Sequence, residues 1–191
     1  WRFRYRFARA ADEELLEAID RTQAPEVVVL PNNANVVLAA RQAARLAQVP
    51  VQVVPSRSLQ AGLGSMLAYD SAADAETNAA AMEDTAAGVA TGAVTVASRD
   101  VSVDGLKIER GAYVGLADGE PVAGGTSFDT VATAVVDRLL GEPRDVLTFI
   151  TGEDEPELGP LLARVAERHP DLELEVHPGG QPHYPLLLSA E

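Results

Sequence analysis

Cysteine is absent from the 191 residues, which excludes a disulfide scaffold and thiolate chemistry and fits a cytoplasmic protein. Lysine occurs once, at Lys107, in a hairpin pattern with no glycine-rich loop before it, so there is no P-loop to cradle a nucleotide. Gly62-Leu63-Gly64-Ser65-Met66-Leu67 lacks the third glycine of a dinucleotide fingerprint and does not directly follow a strand pattern. Gly125-Thr126-Ser127-Phe128-Asp129 has no closing glycine, so it reads as a helix cap rather than a nucleophile elbow. No apolar run approaches the roughly twenty residues of a membrane span, and no secretory pattern opens the chain.

Positive charge is also scarce. The formal charge is −14, and Arg2, Arg4, Arg6 and Arg9 lie in the first nine residues, so the remainder carries −18. A body that acidic repels phosphate backbones, and no nucleic-acid partner is expected. Residues 1–7 alternate aromatic and arginine at period two, as a strand with one apolar face does.

What is there centres on residues 27–56. Val27-Val28-Val29-Leu30 is an apolar β run of the kind that is buried on both faces of a parallel sheet. An alanine-rich amphipathic helix follows, then a second run at Val51-Gln52-Val53-Val54. This is the pattern of a right-handed βαβ unit. Helices are expected at residues 12–22, 59–69 and 74–90. From residue 93 the period changes to two, with hairpin turns at Asp104-Gly105 and Asp118-Gly119. Thereafter a helix (127–140), a strand (145–150), a helix (157–168), a strand (172–177) and a last strand (186–188) are expected. The chain therefore reads as α/β. A parallel βαβ lobe spans 12–92, and a mixed or antiparallel sheet lobe with helices on one face spans 93–191. Residues 1–11 form a strand or fragment outside both.

Two stretches hold more polar constraint than burial needs. Asn32, Asn33 and Asn35 lie at the carboxyl end of the first strand, where open α/β sheets place working loops. One of them, Asn33 or Asn35, is expected to cap the following helix, leaving another for a ligand or partner. The second stretch contains Gly180, Gln181 and His183, flanked by prolines and by His177. A metal there would need Glu175 as third ligand, and no metal site or catalytic residue is assigned.

Leu30-Pro31-Asn32-Asn33-Ala34-Asn35 with its hydrophobic continuation to Ala40 resembles a signature of the bacterial fatty acid kinase FakA proteins, a dihydroxyacetone-kinase-related family. Further similar segments are residues 54–70, the Arg99-Asp100 to Gly111 run, Gly152-Glu153-Asp154, and the closing residues 179–191. Residues 1–9 do not match. The resemblance implies a C-terminal domain whose fold is like that of the acyl-binding, DegV-type FakB partner. It implies that Mg-ATP is held by a separate kinase domain of the parent, so this part needs no cofactor. The implied role is non-catalytic: docking the partner so that the fatty acid carboxylate is phosphorylated, for phospholipid synthesis. Asn32, Asn33, Asn35, Gly180, Gln181 and His183 are the candidate contact residues, and a homodimer of the parent is a further implied assembly. Two rivals stand beside it. One is a stand-alone lipid or small-molecule module with an apolar tunnel lined by Leu63, Met66, Leu67 and the C-terminal leucines. The other is a carbonyl-binding site using His177 or His183.

Overall fold

A computed structural model describes residues 12–103, 105–154 and 156–191. The alternating stretch at residues 1–7 and the turn residue Asp104 lie outside these. The chain divides into two compact units, the first ending at Ala87 and the second opening at Gly88.

In the first unit, α1 (Asp12–Asp20) is followed by β1 (Val27–Val29), α2 (Val37–Leu46) and β2 (Val51–Val53). The strands pair in parallel, Val27 opposite Val51 and Val29 opposite Val53. The βαβ reading is therefore correct in topology. Its expected burial is not: all three β1 residues are only half-buried. The sheet has two strands, so each keeps an unpaired edge, and β-branched sequence alone cannot supply the missing neighbours. Ala40 and Ala43 are the buried residues of α2, their small side chains allowing the helix close to β2 and α1.

Next come α3 (Leu59–Ser65), a 3₁₀ turn (Met66–Ala68) and α4 (Ala75–Gly88). Ser58 caps α3, its Oγ accepting from the Ala61 N–H at 3.1 Å. Two acids serve the start of α4. Glu26 Oε2 accepts from the Ala75 N–H at 3.0 Å, and Asp74 Oδ1 from the Thr77 N–H at 2.8 Å. Buried Asn78 ties the preceding loop down. Its Nδ2 donates to the carbonyls of Asp70, Ala73 and Asp74, and its Oδ1 accepts from the Asp70 N–H.

The second unit is built on a six-stranded sheet. Its strands are β3 (Ala90–Val96), β6 (Tyr113–Ala117), β7 (Glu120–Gly125), β8 (Val146–Thr151), β9 (Glu173–Pro178) and β10 (Leu186–Ala190). The order is β7-β6-β3-β10-β8-β9, antiparallel except for the β8–β9 pair. The expected meander is interrupted: β4 (Val101–Val103) and β5 (Leu106–Ile108) form a hairpin of their own. That hairpin rests on β7, where Gly124 leaves the room that Ile108 fills. Asp118 and Gly119, at φ of 50° and 86°, make the β6–β7 turn that the Asp-Gly pair predicts.

Helix α5 (Phe128–Leu139), capped by Ser127, and α6 (Gly159–Arg168) share one core with the sheet. Val131, Val135, Leu161, Phe149, Leu147, Leu186 and Leu188 are its fully buried centre. Gly92 and Gly115 are glycine because a Cβ at either would overlap Val135. Arg164 pairs with Asp129 at 2.6 Å and Arg168 with Asp137 at 2.7 Å, fixing α6 against α5.

Candidate functional site

The asparagine turn leaves β1 through Asn32, which sits in the left-handed region at φ 54°. Asn tolerates that conformation because a short carboxamide can bond locally. Here the bond is long-range in sequence. Ser56 follows β2, and its Oγ accepts from the Asn32 N–H at 3.0 Å while its own hydroxyl donates to Asn32 Oδ1 at 2.8 Å. Ser56 is buried, so an unpaired hydroxyl there would be costly. The Asn32 carboxamide lies against Gly62 of α3, where any Cβ would overlap it. Three segments far apart in sequence thus meet on one side chain. Asn32 Nδ2 keeps its donors unpaired among the described residues.

Asn33 and Asn35 behave differently from expectation. Asn33 Oδ1 accepts from the Asn35 N–H at 2.9 Å, an Asx turn closed before the helix begins. The residue preceding α2 is Val36, already in right-handed helical conformation, and no side chain caps the helix. The expected asparagine cap is therefore corrected, because the chain enters the helix through a continuous turn rather than through an extended N-cap residue. The Asn35 side chain is exposed and unpartnered among the described residues.

The second stretch is held by its own atoms. Gly179 and Gly180 both donate N–H to the Thr151 carbonyl, at 2.9 and 3.0 Å, and Gly180 has φ 63°. Gln181 is buried, with Nε2 donating to the carbonyls of Ile150 and Tyr184. Its Oε1 is buried without a partner and lies against Gly179. Gly152 passes so close to the Tyr184 and Gln181 carbonyls that only glycine fits. His183, at φ 69°, is exposed, and its carbonyl accepts from Thr95 Oγ1 at 2.8 Å. In this loop, then, the Gln181 amide serves the fold and the His183 imidazole faces solvent.

His177 Nε2 and Glu175 Oε2 are 3.2 Å apart on the exposed edge strand β9. Among the described residues no three such ligating side chains converge. Neither imidazole is enclosed, which removes support for a carbonyl-binding histidine. Of the residues proposed to line a lipid tunnel, Leu186 and Leu188 are core residues under the helices. Leu63 and Leu67 are exposed, Leu67 at 79%. Sequence reasoning passed over Ser56, Gly62 and Asn78. The first two are joined to Asn32 only by the fold, and no local spacing announces the link. No described helix is long and apolar enough to cross a membrane.

The architecture has known counterparts. A DegV lipid-binding protein from Thermotoga maritima is similar over 95% of this chain and 75% of its own, with TM-score 0.68 and 13% identity. The fatty acid kinase (Fak) B3 protein of Streptococcus pneumoniae, solved with linoleic acid, is similar over 95% of this chain and 76% of its own, with TM-score 0.63 and 14% identity. The dihydroxyacetone kinase of C. freundii, solved with AMP-PNP and Mg²⁺, is similar over 96% of this chain and 42% of its own, with TM-score 0.59 and 16% identity. At such identities the likeness is one of fold. In sequence, an uncharacterised protein of Staphylococcus aureus (strain USA300) is 33% identical over 181 residues, 94% of this chain. The chain spans about a third of that relative's length. Residues 8–191 match the FakA-like C-terminal family of fatty acid kinases, and with a DegV-type fold beneath that match the chain belongs to this family.

Proposed function

We propose that this chain is the docking module of a FakA-type fatty acid kinase. On this reading it receives an acyl-carrying, DegV-type protein and presents the fatty acid carboxylate to a kinase domain elsewhere in the parent. One observation carries the reading. A chain matched from residue 8 to residue 191 by the C-terminal family of the kinase has the fold of the B-type fatty-acid-loaded protein. The chain accounts for about a third of its S. aureus relative, which leaves ample length for a nucleotide-binding domain. The module's contribution is positional. Holding donor and acceptor in one complex converts a bimolecular encounter into a near-unimolecular transfer. Chemistry on Mg-ATP belongs to the rest of the parent.

Within the module, Asn32 Nδ2, the Asn35 side chain and the His183 imidazole are the contact groups. Asn33 shapes the turn, while Gly180 and Gln181 shape the second loop. The test is a deletion. A parent kinase lacking residues 8–191 should bind Mg-ATP normally and lose phosphorylation of partner-held fatty acid. Phosphorylation at the wild-type rate by the truncated protein would refute the proposal.

A second reading, that the module itself binds lipid, draws on the lipid-binding proteins that share its fold and on the exposed Leu63 and Leu67. Native mass spectrometry separates the two, because a lipid-binding module retains fatty acid through purification and a docking module does not.

A further inference from the structure

Residues 27–69 contain no Asp or Glu and three arginines, Arg41, Arg45 and Arg57, in a chain whose net charge is −14. A run of that length with net positive charge stands apart from an otherwise acidic protein. It folds into the β1–α2–β2–α3 part of the first unit. There a shallow open groove is lined by Ala34, Val37, Leu38, Arg41, Pro55 and Arg57. Its floor and walls are apolar, and its only charges are the two guanidinium groups. Among the described residues neither arginine has a carboxylate partner. Leu38 is 70% exposed, and on the same helix Leu46 is 62% exposed. Leucines this open on an amphipathic helix are unlike the buried Ala40 and Ala43 one face round.

An apolar groove flanked by unpaired arginines is complementary to a protein segment with carboxylates beside an apolar side chain. Arginine is suited to this role, since its planar fork binds carboxylates bidentately and is weakly hydrated. An aliphatic residue between the two ion pairs would supply the desolvated centre that interfaces need. The groove opens next to Ala34, between Asn33 and Asn35 of the asparagine turn, so the turn would form its rim.

We propose that this groove docks an acidic segment of the acyl-carrying partner, with carboxylates on Arg41 and Arg57 and an apolar side chain against Leu38, Val37 and Pro55. The inference rests on the docking function above and names the surface that performs it. The steering charge also serves specificity, because the acidic remainder of the chain repels the same segment and leaves one place for it to land.

The experiment is calorimetric titration of the full chain with the fatty-acid-loaded partner at low and high sodium chloride. The variants are Arg41→Glu with Arg57→Glu, the same pair changed to Ala, and Leu38→Ser. Arg138→Glu, an exposed arginine of α5 in the second unit, controls for net charge. All these side chains are exposed, so melting temperatures should stay at the wild-type value. The double Glu variant should bind about tenfold more weakly or worse at low salt, with its salt dependence flattened, and Leu38→Ser should also weaken binding. Arg138→Glu should bind as wild type does. Wild-type affinity in the double Glu variant, or an equal loss in Arg138→Glu, overturns the groove while leaving docking itself intact. Failure of the wild-type chain to bind the partner overturns both. If the double variant keeps its partner but loses self-association or binding to phosphatidylglycerol vesicles, the groove belongs to a second copy or a membrane and the proposal is wrong.

Discussion

Asn32 shows how one residue can join three distant segments. Its positive φ, its two bonds to Ser56 and its contact with Gly62 make a coupled set. Gly62 lies inside α3, where alanine would normally be favoured over glycine by about 1 kcal/mol. Here Gly62→Ala should instead destabilise, because the new methyl pushes the carboxamide off Ser56 and leaves a buried hydroxyl unpaired, at about 1–3 kcal/mol. Combined with Asn32→Gly the penalty should vanish or change sign, a strong non-additivity that urea unfolding of the four proteins in the cycle measures directly. Additive costs would show that the two residues do not interact. Asn35→Ala belongs at the same scale. With no partner to lose, it should leave the melting temperature unchanged while weakening partner-dependent phosphorylation by the parent. A drop in melting temperature with normal activity would make it a structural residue.

The residues of the turn were legible as polar and placed at a strand end, yet their division of labour was not. Sequence spacing favours an asparagine cap on α2, and the structure puts Asn33 into an Asx turn instead. Local chemistry allows both, and the path of the chain into the helix selects one. Gln181 is a similar case. A polar residue between glycine and proline looked available, and the fold turns its amide inward onto Ile150 and Tyr184.

Among the elements, α4 carries a testable electrostatic cap. The Thr77 hydroxyl, and after it the Thr77 N–H, bond to the Asp74 carboxylate and hold its pKa below the ordinary 3.8. A carboxyl group with a depressed folded-state pKa stabilises the fold above its unfolded pKa, and that stability is lost as pH falls through the folded value. The difference in urea midpoint between the natural chain and Asp74→Asn should therefore be present at pH 6 and shrink below about pH 4. A difference independent of pH would mean that the charge contributes nothing at this cap. Elements with long, regular patterns were readable in advance: α5 with Val131, Val135, Val136 and Leu139 inward, α6, and the Asp118-Gly119 hairpin. The order of strands was not. The last strand, β10, inserts between β3 and β8, a pairing across most of the second unit that no local signal encodes. Five consecutive buried residues are its consequence, and only the apolar Leu186-Leu187-Leu188 half of that run is visible in composition.

For the molecule as a whole, charge distribution and family agree on the kind of work expected. An acidic chain with an arginine-bearing groove, in the C-terminal family of a kinase, is suited to receiving another protein rather than to holding a nucleotide. The fold it shares with lipid-binding DegV proteins marks common architecture, while the two loops singled out by sequence spend most of their hydrogen bonds on themselves. The most direct measurement is the affinity of the purified chain for a fatty-acid-loaded DegV-type partner, by calorimetric titration in the absence of Mg-ATP. The docking account predicts saturable one-to-one binding that does not require nucleotide. A titration with no heat of binding, from a chain that instead carries fatty acid of its own, would contradict it.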